Sequence, residues 1–86
     1  MTEFFLDGHP ISMSLDPIYL SIIDAMSNRK TLKVYQIRAI LEYRGISIGY
    51  SEISTRLRLL SLLSIVEREK TKRVYLYRLS KKFEIK

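Results

Sequence analysis

Between Asp16 and Leu79 the apolar residues of this chain change period once: three stretches in which they recur every three or four positions give way to two in which they alternate. The first stretch, Ile18, Ile22, Ile23 and Met26, begins behind Asp16, a good helix cap, with Pro17 at the first helical position. A second runs from about Lys33 to Arg44, with Val34, Ile37, Ile40 and Leu41 on one side, and Gly45 ends it. The third starts at Gly49, places Glu52 where a carboxylate reaches back to free backbone donors, and carries Ile53, Leu57 and Leu60 as its buried stripe before stopping near Leu63. Ile65 to Glu69 and Arg73 to Leu79 then read as strands joined through Lys70-Thr71-Lys72. The expectation is a mainly α domain with a small β-ribbon, an α+β fold of three helices plus a hairpin with a basic tip.

With 86 residues, 47% of them apolar, the chain has enough material for one compact domain. It contains no cysteine and a single histidine, His9, so neither a disulfide framework nor a thiolate zinc site can hold it together, and no cofactor or metal is expected. No apolar run approaches the roughly 20 residues that span a bilayer, and the N-terminus lacks a basic leader, which points to an intracellular, cytoplasmic protein with no membrane partner. Enzyme chemistry finds no footing. Gly45-Ile46-Ser47-Ile48-Gly49 lacks the spacing and the lysine of a phosphate loop, and His9, beside Pro10, reads as a loop residue with no nucleophile or paired carboxylate around it. No small-molecule ligand is evident either.

Charge is divided unevenly. Residues 1–27 hold four carboxylates and no cation, a net −4, whereas residues 28–86 hold fifteen lysines and arginines against five carboxylates, a net +10. A surface that concentrates cations releases counterions when it meets phosphates, so double-stranded DNA leads the candidate partners of the basic part. On the third helix, setting Ile53, Leu57 and Leu60 inward turns Ser51, Thr55 and Arg58 outward, a short, polar and positive face that suits a major groove. Arg56 lies nearer the buried boundary, as a phosphate contact or an internal ion-pair partner. Tyr19, Tyr35, Tyr43 and Tyr50 read as half-buried core rather than as a stacking platform for single strands.

The order helix, helix, turn, helix, ribbon resembles the winged helix-turn-helix family over about Leu32 to Ser80. Tyr50-Ser51-Glu52-Ile53-Ser54-Thr55-Arg56-Leu57-Arg58-Leu59-Leu60 looks like the family's recognition helix, Leu63-Ser64-Ile65-Val66-Glu67-Arg68 like its exit into the ribbon, and Tyr77-Arg78-Leu79-Ser80 like the end of its wing. Ser64 stands where the family usually has glycine, and Gly49 where it usually has a serine or threonine cap. The resemblance implies a small prokaryotic or viral transcriptional regulator that binds DNA through Tyr50, Ser51, Ser54, Thr55, Arg56 and Arg58 of the recognition helix and Lys70, Thr71, Lys72 and Arg73 of the wing. Repression is the favoured mode, since no extra domain is apparent to recruit polymerase or sense a ligand. The rival readings are a winged-helix protein-interaction module and a sequence-neutral architectural DNA binder.

Residues 1–15 are expected as an arm or short hairpin turning at Asp7-Gly8, residues 16–80 as the winged helix-turn-helix domain, and residues 81–86 as a basic C-terminal tail. Both faces of the second ribbon strand are apolar, Tyr75, Tyr77 and Leu79 on one and Val74 and Leu76 on the other, so Val74 and Leu76 need cover from Phe4-Phe5-Leu6 or from a second subunit. A homodimer through the N-terminal segment and the first helix, with Tyr19 and Ile23 available, is the expected assembly.

Overall fold

The structure, a computed structural model, describes residues 3–11 and 16–86. Along them run β1 (Phe4–Leu6), β2 (His9–Ile11), α1 (Pro17–Ala25), α2 (Val34–Tyr43), α3 (Tyr50–Leu62), β3 (Val66–Lys70), β4 (Tyr75–Leu79) and β5 (Phe83–Ile85). Residues 12–15 of the expected arm lie outside the described residues.

The helix boundaries follow from local chemistry. The Asp16 carboxylate accepts from the backbone N–H groups of Ile18 and Tyr19 at 2.9 and 3.1 Å, capping α1 behind Pro17. At the start of α2 the Gln36 side chain accepts from the Lys33 N–H at 2.8 Å. Its end is a Schellman turn: Gly45, at φ 84, donates to the Glu42 carbonyl, and Ile46 donates to that of Leu41. The same turn closes α3, where Ile65 donates to the Leu60 carbonyl and Ser64 to that of Ser61, but there the left-handed residue is Ser64, at φ 66. Gly49 caps α3 with no side-chain hydrogen bond. Contrary to the expected cap, Glu52 turns instead to Arg56, 3.8 Å away and one helical turn on.

The three helices enclose one core, with Ile22, Ile23 and Met26 of α1 and its end, Val34, Ile37 and Leu41 of α2, and Ile53, Leu57 and Leu60 of α3 all buried. The ribbon β3–β4 is antiparallel from Val66↔Leu79 to Lys70↔Tyr75. A single residue of the α1–α2 link extends it: Leu32 and Tyr77 exchange N–H···O bonds of 2.7 and 2.8 Å. The tip is tighter than the sequence suggests, with Lys70 inside β3 and only Lys72 and Arg73 between the paired Thr71 and Val74.

A second sheet, in the order β2-β1-β5, corrects two expectations. Asp7 (φ 55) and Gly8 (φ 79) make the hairpin turn that their sequence announces, and they place His9 in a strand instead of a loop. The basic tail is a strand too. Phe83 is fully buried and stacks on Phe4 at 5.6 Å, and β5 pairs with β1 across almost the whole sequence. Arg29 fixes the approach to β5, its guanidinium donating to the carbonyls of Ser80 (2.8 Å) and Phe83 (2.6 Å). The N-terminal strand therefore packs beside α1 and β5 and does not cover Val74 and Leu76. Leu76 is half-buried beside Thr31 and Lys33.

Candidate nucleic-acid interface

Because Ile53, Leu57 and Leu60 face inward, a rotation of about 100° per residue leaves Ser51, Thr55 and Arg58 exposed, with Tyr50 exposed at the first helical position and Ser54 half-buried. The ribbon face turned toward α3 carries, in register from base to tip, Val66 with Leu79, Arg68 with Tyr77, and Lys70 with Tyr75. Its base is core and its outer part is basic and aromatic. The Tyr75 ring holds both neighbouring cations, Arg68 Cζ at 4.5 Å and Lys70 Nζ at 6.0 Å from its centroid. Between helix and ribbon lies a cleft of about 370 Å³ lined by Ser54, Arg58, Arg68, Tyr75 and Tyr77.

Ion pairing sorts the cations into two groups. Arg38 pairs with Glu42 at 3.3 Å, Arg44 with Asp24 at 2.5 Å, and Arg78 with Glu67 at 2.7 Å on the opposite face of the ribbon. Among the described residues, no carboxylate lies within 4.0 Å of Arg58, Arg68, Lys70, Lys72 or Arg73. These five lie on the exposed side of α3 and on the wing; Arg29, Lys30, Lys33, Lys81 and Lys82, elsewhere on the chain, likewise have no carboxylate partner among the described residues.

Two expected site residues are otherwise engaged. Arg56, 22% exposed, lies 3.8 Å from both Asp16 and Glu52 and 5.3 Å from the Tyr19 ring centroid, so it ties the start of α1 to α3. The Thr71 hydroxyl donates to the Val74 carbonyl at 2.7 Å and accepts from the Val74 N–H at 3.2 Å, which closes the wing turn. Arg68, in the middle of β3, and Tyr75, the first residue of β4, are not among the sequence-expected site residues, because only the strand register places them beside Arg58. Alternation along β3 was the available signal. Of the tyrosines, Tyr19 alone is half-buried; Tyr35 and Tyr50 are exposed, and Tyr43 is 94% exposed at the end of α2, where no packed element reaches it.

Three helices in this order, a bridging residue after α1 and a β-ribbon after α3 make the fold a winged helix. Known structures agree. The ferric uptake regulator of Francisella tularensis, solved with iron, superposes with a TM-score of 0.73 at 18% identity, covering 83% of this chain and 56% of that one. Two complex structures of hsRosR, S1 and S4, each superpose with a TM-score of 0.68 at 20% and 21% identity, covering 78% and 80% of this chain and 61% of theirs. All are winged-helix transcriptional regulators, and this chain spans about three fifths of their length. No family model matches the sequence, and no curated protein matches it. Among the described residues, no three His, Cys, Asp or Glu side chains come together as a metal site, and no helix is long and apolar enough to cross a membrane.

Proposed function

We propose that the protein binds double-stranded DNA sequence-specifically and regulates transcription, with α3 in the major groove and the wing on the flanking backbone or minor groove. The observation that carries this reading is that Arg58, Arg68, Lys70, Lys72 and Arg73, none with a carboxylate partner, share the α3 and wing face, while Arg38, Arg44 and Arg78 are paired elsewhere. A helix of about 10 Å diameter fits the major groove, where Arg58 can bond a guanine edge and Ser51 and Thr55 can bond base edges or phosphate. Arg68, Lys70, Lys72 and Arg73 supply sequence-neutral phosphate contacts. Tyr50 and Ser54 flank the same face, and Arg56 acts by holding α3 in place. Repression by occupancy of a promoter requires only this domain, acting in the cytoplasm on the nucleoid as a homodimer that presents one α3 to each half-site.

Enrichment of a randomised duplex pool on the immobilised protein tests the proposal. A consensus bound in preference to bulk DNA is expected. Uniform recovery of all duplexes would support a sequence-neutral binder, and no retention at low salt would leave the interaction-module reading standing.

A further inference from the structure

The sheet β2-β1-β5 has two edges, and they differ. On the β2 edge the outward N–H position belongs to Pro10, which has none, so that edge is blunted. On β5 the reciprocal bonds between Glu3 and Lys86 and the bond from Asp7 to Lys82 show that residues 82, 84 and 86 turn their backbone groups toward β1. Phe83 and Ile85 face outward. The groups of Phe83 are occupied, its N–H by the Ser80 carbonyl and its carbonyl by Arg29. Those of Ile85 have no partner among the described residues, which leaves one donor and one acceptor side by side on an open edge.

The side chains around this edge are complementary to themselves. In an antiparallel pairing centred on Ile85, Ile85 opposes its own copy and Glu84 opposes Lys86 on both sides of the two-fold axis. Beside the edge runs an apolar groove of about 350 Å³ lined by Phe4, Leu20, Ile23, Asp24 and Ile85, in which Leu20 and Ile85 are 42% and 39% exposed. The expected dimer residues of α1 are not available, since Ile23 is 2% exposed and Tyr19 lies under Arg56; the helix turns Leu20 outward instead.

We infer that a second copy of this chain docks on the β5 edge, antiparallel and centred on Ile85, with reciprocal Ile85 N–H···O bonds, two Glu84–Lys86 pairs across the axis and the Leu20–Ile85 strip closed between the copies. The two sheets then form one of six strands, and the basic faces of both protomers stay free. This assigns a surface to the dimer within the proposed function and rests on that reading.

Charge reversal tests the pairing on the full chain. Glu84→Lys places lysine opposite lysine, and Lys86→Glu places glutamate opposite glutamate, so each variant alone should dimerise at least about tenfold more weakly than wild type in sedimentation equilibrium. Mixed in equal amounts they restore both opposite-charge pairs and should form 1:1 heterodimers, an outcome that a folding defect in either variant would not produce. Wild type that stays monomeric at about 100 μM, variants that each dimerise like wild type, or a mixture that stays monomeric would each overturn the inference. Duplex binding by the same proteins is read separately. A mixture that heterodimerises while wild type binds no DNA keeps the interface and rejects the DNA reading.

Discussion

At φ 66, Ser64 holds the turn from α3 into the wing in a conformation that a side chain opposes and glycine adopts freely. Ser64→Gly should therefore raise stability by about 0.5–1 kcal/mol in urea denaturation, the relief of left-handed strain offsetting the added freedom of the unfolded chain. A lower midpoint would show that the serine is favoured there. Leu57 lies mid-stripe on α3 and is fully buried, so Leu57→Ala should cost about 2–5 kcal/mol, and a thermal melt within a degree of wild type would mean the helix is rotated wrongly. On the outer side of α3, Thr55→Ala and Arg58→Ala should weaken binding to the selected duplex by about 1–3 kcal/mol more than binding to scrambled DNA. Lys70→Ala and Lys72→Ala should weaken both to a similar extent, and a changed consensus from the wing variants alone would reverse these roles.

The elements that were legible in the sequence are those whose signal is periodic over several turns. Each helix places three or four apolar residues on one face, and its stops are local: Asp16 with Pro17, and Gly45 at φ 84. What escaped was short or long-range. β5 is three residues long among lysines, and only Phe4 and Leu6, nearly eighty positions earlier, make it a strand. Leu32 joins the ribbon as a single bridging residue, too brief for any pattern. The candidate site divided in the same way. Ser51, Thr55 and Arg58 followed from helical geometry, whereas Arg68 and Tyr75 needed the β3–β4 register, and Arg56 was drawn inward by Asp16, forty residues away. Since Phe4 stacks on the buried Phe83, the hairpin is part of the fold and not a detachable arm. Phe83→Ala should cost about 3–5 kcal/mol, and deletion of residues 1–13 should lower the melting temperature as well as weaken association. A truncated protein that melts like wild type would contradict this placement.

Over the whole molecule, about 34 × 30 × 20 Å, charge and surface are partitioned. The acidic first third supplies α1 and the β1–β2 hairpin, on the side where a second copy is proposed to dock, while Arg58, Arg68, Lys70, Lys72 and Arg73, free of carboxylate partners, lie on α3 and the wing. A two-fold dimer reading a palindrome requires its two α3 helices about 34 Å apart, one turn of DNA. The salt dependence of duplex affinity tests this partition most directly, since each phosphate neutralised adds about −0.9 to the slope of log affinity against log salt concentration. With Arg68, Lys70, Lys72 and Arg73 on phosphates, a slope of about −3.6 per protomer is expected, falling by about one unit in magnitude for each of these residues changed to alanine. A slope near zero, or one that these substitutions leave unchanged, would contradict a DNA-binding face between α3 and the wing.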